Sequence, residues 1–202
     1  DDEYFYGKTG ILEALQSLGI RPRAEYSEAN QNYLTTMRKT DDTLYLFVYN
    51  FMAEDEFKAH TVDVNINNTV NLSVNGTGKP YMIDAWTGEI EAMGHYVTAD
   101  GRTSFDVTLE PGATTVIAID LSNQKNGLHA ISTNANKVLD EDGALTVFAE
   151  NTGTYTTGLS DGTEVTSEIK VPAKISLPEW NLTVEDWSKG EKELITENRG
   201  LG

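Results

Sequence analysis

Asp84 and Glu89 flank Trp86 and a Thr87-Gly88 step in the stretch PYMIDAWTGEIEAM, residues 80–93. Two carboxylates beside an aromatic ring are the equipment of a glycoside hydrolase, which sets its acids about 5 Å apart to retain configuration or about 6.5–9.5 Å apart to invert it. The spacing is compatible with both, and equally with a plain β-hairpin. A hairpin tip is wet, whereas catalytic acids need a concave, partly desolvated site that separates their pKa values. The Thr87-Gly88 step suits a turn whose glycine takes positive φ. The stretch is therefore expected to be structural.

Other chemistry is sparse. The histidines, His60, His95 and His129, lie far apart, and none has a neighbour at ligand spacing, so no metal site is expected from them. There is no phosphate-cradling glycine loop. Acidic clusters at Asp1-Asp2-Glu3, Glu54-Asp55-Glu56 and Asp140-Glu141-Asp142 offer oxygen ligands for calcium, but none follows the EF-hand spacing. DEDG at 140–143 reads more simply as a turn. Trp86 and Trp187 are candidates to stack on sugar rings, with packing between modules as the alternative; Trp180 has core parity.

Composition bounds the partners. The formal charge of −17 over 202 residues excludes nucleic acid and anionic membrane surfaces as expected partners. No apolar run approaches the ~18 residues of a membrane span. With no cysteine there is no disulfide framework and no thiolate chemistry. The chain opens on Asp-Asp and ends on ENRGLG, the expectation being a processed chain or a piece of a longer one.

These residues must be positioned by strands, for only one segment reads as a helix. In GKTGILEALQSLGIRP, Thr9 can cap, Ile11, Leu12, Leu15 and Leu18 recur at helical spacing, and Gly19 and Pro22 close the end. NYLTTMRK (32–39) and TLYLFVYNF (43–51) flank a Thr-Asp-Asp turn and predict a hairpin. In the second, Leu44, Leu46 and Val48 alternate with Tyr45, Phe47 and Tyr49, which predicts a strand covered on both faces. FKAHTVDVNI, TVNLSVN, KPYMIDAW, EIEAMGHYV, RTSFDVTLE and TTVIAID follow at the spacing of an antiparallel sandwich or barrel. The polar stretch LSNQKNG (121–127) precedes a second set: ALTVFAE, TGTYTTGLS and TEVTSEIK. The fold expected is mainly β: antiparallel β-sandwich modules, one short N-terminal helix, and a second, partial sandwich on the C-terminal side. The domains expected are 1–30, 31–122 and 123–202.

N-x-S/T sequons at Asn67, Asn71, Asn75 and Asn181 bear on compartment. Val70, Leu72 and Val74 take the opposite strand parity to the neighbouring acceptors, which should therefore face solvent. Secretion into the extracellular space is the expectation.

The order of segments carries a resemblance. YFYGKTGILEALQSLGIRP, MRKTDDTLYLFVYN, GKPYMIDAWTGEIEAM, GRTSFDVTLEPGATTVIAID and LPEWNLTVEDW together resemble the C-terminal region of large multi-domain glycoside hydrolases, nearest to the α-L-rhamnosidases of glycoside hydrolase family 106, over roughly residues 4–187. The resemblance implies that the first ~30 residues end an upstream catalytic (β/α)8 barrel, and that LPEWNLTVEDW opens a further sandwich. It implies catalytic carboxylates, and any calcium, in that barrel and outside this chain. Arg38, Lys39, Asp41 and Asp42 would lie on the strand and turn nearest the barrel, and Pro80, Asp84, Trp86, Thr87 and Gly88 would form the hairpin. Relatives often carry His where Met37 stands, a departure that bears on substrate contact. Arg38 is then the candidate to reach the substrate cleft, since a guanidinium grips a sugar's carboxylate. The function implied is a non-catalytic part of a secreted, plant-polysaccharide-acting hydrolase that buttresses the barrel. The alternative is a free-standing carbohydrate-binding or adhesion module.

Overall fold

The computed structural model describes residues 14–15, 17–28, 32–51, 69–122, 126–176, 179–186 and 193–200. The predicted cap Thr9 with Ile11 and Leu12, the predicted strand 57–66 with His60, the acidic clusters at 1–3 and 54–56, Asn67 and Trp187 lie outside those residues. What is described is mainly β, in several antiparallel sheets. Ala14, Leu15 and Ser17 are helical, and the Ile20 N–H donates back past Gly19 to the Leu15 carbonyl at 2.9 Å. That bond is the Schellman closure a C′ glycine makes possible.

The N-terminal strands are β1 (Ala24–Tyr26), β2 (Tyr33–Lys39), β3 (Thr43–Asn50), β4 (Thr69–Asn75) and β5 (Lys79–Ile83). They are followed by β6 (Ile90–Ala92), β7 (Val97–Ala99), β8 (Arg102–Thr108) and β9 (Thr114–Asp120). One sheet has four strands in the order β1-β4-β8-β7; the other has five, β2-β3-β9-β5-β6. Period-two patterning tells each strand which side to bury. Leu72, Val74, Phe105 and Val107 of the first sheet meet Leu46, Val48, Ile117 and Ile119 of the second, all essentially without solvent exposure. At about 1.5–3 kcal/mol for each such side chain, this interleaved layer is the main source of stability.

Polar groups close the ends of the sandwich. The Tyr33 hydroxyl accepts from the Leu109 N–H at 3.1 Å, and Asn50 Nδ2 donates to the Leu109 carbonyl at 2.8 Å. Arg102 is buried and spends its guanidinium on the Ser73 hydroxyl and carbonyl and on the Pro22 carbonyl, with Glu25 3.5 Å away. This binds the short β1 to the sheet edge.

Beyond 126 come β10 (Ala130–Thr133), β11 (Lys137–Glu141), β12 (Ala144–Phe148), β13 (Gly153–Leu159) and β14 (Glu164–Ile169). They form a three-stranded sheet, β10-β13-β14, and the β11-β12 hairpin. Asp100-Gly101 and Asp142-Gly143 each hold positive φ at both positions and turn the β7-β8 and β11-β12 hairpins. These are the two-residue turns that match strand twist, and Asp-Gly is their preferred sequence.

The segment Met93–Tyr96 stitches this second set of strands to the sandwich. The Gly94 N–H donates to the Val138 carbonyl at 2.8 Å, while the Gly94 carbonyl accepts from the Ala130 N–H at 2.8 Å. Met93 bridges to Leu139 and His95 to Ala130. A side chain at Gly94 would bring its Cβ to 2.8 Å from the Leu139 carbonyl carbon, so only glycine fits there. His129 is buried and stacks on Tyr96 with ring centroids 4.1 Å apart. Its Nδ1 lies 3.1 and 2.9 Å from the Asn126 and Gly127 carbonyls, which fixes the proton on that nitrogen.

Residues up to Ile169 make one compact unit, and Lys170–Gly202 a second. The second contains β15 (Glu179–Asp186) and β16 (Glu193–Gly200), an antiparallel hairpin that pairs Glu179 with Gly200 and Asp186 with Glu193. Among the described residues no helix is long and apolar enough to cross a membrane.

Candidate functional site

Register assembles the outer face of the β2-β3-β9-β5-β6 sheet row by row. Arg38, Tyr45, Ala118, Tyr81 and Ala92 lie across the strands in one row, and Thr36, Phe47, Val116, Ile83 and Ile90 in the next. Leu34, Tyr49 and Thr114 begin a third. Strands lie about 4.8 Å apart and alternate residues about 6.8 Å apart, so the rings of Tyr45, Phe47 and Tyr49 form a ladder along β3.

This face was expected to be covered, and it is open. Tyr45 is 39% exposed, Phe47 42%, Leu34 57% and Ile90 62%. The reason lies in the layers: the four-stranded sheet covers the Leu44, Leu46 and Val48 side, and among the described residues no element is paired over the other. Exposed apolar surface of this kind makes the face a candidate interaction surface.

Arg38 stands on the edge strand β2 at the rim of this face. It is exposed, and its Nη1 donates to the Met37 carbonyl at 2.9 Å. On the opposite rim Lys79 Nζ lies 5.6 Å from the centre of the Tyr81 ring and 2.5 Å from Asp140 Oδ2. Burial alone would raise the Asp140 pKa, but the Lys79 ammonium and the Gly143 amide outweigh it and hold the carboxyl below its ordinary value. The acidic cluster at 140–142 thus serves a turn and an ion pair. Among the described residues no group of three or more metal-ligating side chains comes together.

The β5-β6 hairpin carries Trp86 at its tip, 91% exposed. Asp84 Oδ1 accepts from the Trp86 N–H at 2.7 Å and the Thr87 N–H at 3.1 Å, and the Gly88 N–H reaches the Asp84 carbonyl at 2.9 Å. Bonds from the Thr87 and Trp86 amides hold the Asp84 pKa below its ordinary value. A carboxylate held ionised in this way shapes a turn and is poorly suited to donate a proton as a general acid. Asp84 and Glu89 are therefore built into a solvated hairpin tip.

On β4, Val70, Leu72 and Val74 are buried, and the acceptors Asn71 and Asn75 occupy the outward parity. Asn71 Nδ2, the atom a glycan would occupy, donates to Asp106 Oδ1 at 2.8 Å. Asn181 lies on β15 opposite Asn198. The ladder of exposed Tyr45 and Phe47 with half-buried Tyr49 escaped the sequence reading. The signal that would have found it is the polar Thr36 and Arg38 on the outward parity of the neighbouring β2.

The fold and this face define a mainly β protein built on an antiparallel sandwich with one apolar outer surface. No protein-family model matches the chain, and no curated protein matches it. Among solved structures, a rhamnosidase from Novosphingobium sp. PP1Y is similar over 73% of this chain at 15% identity and a TM-score of 0.42. The likeness covers 16% of that chain, and at that score it carries no argument about this one.

Proposed function

We propose that this chain is a non-catalytic accessory region of a secreted, α-L-rhamnosidase-like glycoside hydrolase acting on plant polysaccharide. Its aromatic face packs against the upstream catalytic barrel. The observation that carries this reading is the open ladder of Tyr45, Phe47 and Leu34, a surface that costs free energy until a partner removes it from water. The ordered segments that resemble family 106 supply the kind of partner. Arg38, at the rim, reaches the substrate cleft and grips acidic sugar.

The test uses the native-length protein, assayed on rhamnose-containing plant polysaccharide. Tyr45→Ser with Phe47→Ser should shorten the half-life of catalytic activity on heating severalfold, while this chain alone loses only about 1–2 kcal/mol. Arg38→Ala should raise KM or lower kcat. Absence of glycosidase activity, or an unchanged half-life in the double variant, would sink the reading.

A second reading is favoured by Trp86, whose ring stands almost wholly in solvent. A free-standing sugar-binding module would use it, with Trp187, as a stacking platform. Glycan-panel binding that disappears in Trp86→Ala, in a protein with no hydrolase partner, would replace the first proposal with this one.

A further inference from the structure

The stitch at Met93–Tyr96 leaves a cavity of about 230 Å³ between the sandwich and the second set of strands. Its apolar lining comes from Met82, Met93 and Leu139, and its polar lining includes Glu91, Lys137, His95 and Asp106. The volume lies just under the ~300–1,000 Å³ of most small-molecule sites, which suits a single ring better than an extended chain.

The polar groups come in complementary pairs. Lys137 Nζ lies 2.6 Å from Glu91 Oε2, which leaves a carboxylate oxygen and ammonium protons side by side. Asp106 Oδ1 is taken by Asn71, while Oδ2 lies 4.0 Å from His95 Nδ1. That gap is too long for a direct hydrogen bond, and one hydroxyl about 2.8 Å from each atom would close it. Asn136 and Thr108 add further donors and acceptors at the rim.

We propose that this cavity binds one neutral sugar ring. A pyranose has an apolar C–H face for the Met82 and Met93 side chains, whose thioethers adapt to irregular shapes. Its vicinal hydroxyls each donate and accept, as the Glu91–Lys137 pair and the Asp106–His95 gap both require. An anionic ligand would meet the carboxylates of Glu91 and Asp106, which outnumber the Lys137 ammonium. Exclusion of anionic sugars is the property the lining selects.

The site stands independently of the docking face, because Met82 and Glu91 have inward parity on their strands while Tyr45 and Tyr81 have outward parity. The experiment is a titration of this ¹⁵N-labelled chain with L-rhamnose, D-galactose, D-glucose and D-galacturonate, followed by amide shifts. At least one neutral sugar should shift amides of Met93–Tyr96, Asp106 and Lys137 saturably, with a Kd of about 1 mM. Galacturonate should bind at least tenfold more weakly. Glu91→Gln and Asp106→Asn, near-isosteric changes at the rim, should each weaken the neutral sugar severalfold. No saturable shift at those amides overturns the proposal, as do shifts confined to Tyr45, Phe47 and Trp86. Equal affinity for galacturonate overturns it too. The map on the unmodified chain decides the matter even if a variant misfolds, and its failure leaves the docking face untouched.

Discussion

The sandwich turns two unlike faces outward. On the four-stranded sheet the outward residues are Thr69, Asn71, Ser73 and Asn75 on β4, with Ser104, Asp106 and Thr108 on β8. On the five-stranded sheet the corresponding positions hold Leu34, Tyr45, Phe47, Tyr49, Tyr81 and Ile90. Both faces obey the same period-two rule and bury equally apolar inner sides. The difference is therefore independent of the core. One face is polar and suits water; the other leaves apolar rings partly in it.

The sharpest way to break that comparison uses neighbours on β3. Leu46 and Phe47 are adjacent, one wholly buried and the other 42% exposed. Leu46→Ala should cost about 2–5 kcal/mol, the toll of a core cavity. Phe47→Ala in the same chain should cost about 1 kcal/mol or less, as surface changes do. Urea denaturation of both variants measures the contrast. Comparable losses would mean that the aromatic face is already covered within the chain.

Next in size comes Gly94, which belongs to neither face but holds the second set of strands to the sandwich. Gly94→Ala forces a Cβ against the Leu139 backbone and should destabilise by about 1–3 kcal/mol. The amides that report it should be those of Gly94 and Ala130, whose hydrogen exchange would accelerate ahead of the core strands. Uniform acceleration would instead make seam and sandwich one cooperative block.

How much of this was legible beforehand follows from the range of the interactions. Strands β3, β4, β8 and β9 lay open in the sequence because period-two alternation and Asp-Gly or Thr-Asp-Asp turns are local signals. The turn at Gly19 was local too. The aromatic face was misread because Tyr45, Phe47 and Tyr49 look like core until the sheet order shows which side is layered. The stitch at Met93–Tyr96 was invisible for a related reason. It pairs with Ala130 and Val138 across the polar stretch 121–127, a non-local contact with no pattern of its own. Of the candidate residues, the hairpin around Asp84 was readable from Thr87-Gly88. The cavity was not, since its walls come from segments far apart in the chain.

A smaller effect sharpens the polar face. Asn71→Gln removes both the sequon and the 2.8 Å bond to Asp106. The loss should be about 0.5–1.5 kcal/mol, the net value of one such bond. Expression in a eukaryotic secretory host should give a protein lighter by one glycan, by mass spectrometry. An unchanged mass would show that Asn71 is left bare and would weaken the assignment of this face to glycan cover.

The smallest effect appears only in acid, at the border of the aromatic sheet. The carboxyl of Asp140 is 11% exposed and paired with Lys79, and its folded pKa lies below its unfolded value. The folded state therefore holds on to fewer protons than the unfolded chain in that range. The pair's contribution is complete above the ordinary carboxylate pKa of about 3.9 and is lost as pH falls through the depressed folded value. Asp140→Asn removes that contribution at every pH. Melting curves of the two proteins should be furthest apart near neutrality and should converge below about pH 4. A constant gap down to pH 2.5 or so would mean that packing at the β11-β12 turn, and not the charge of Asp140, is what ties this corner to the aromatic sheet.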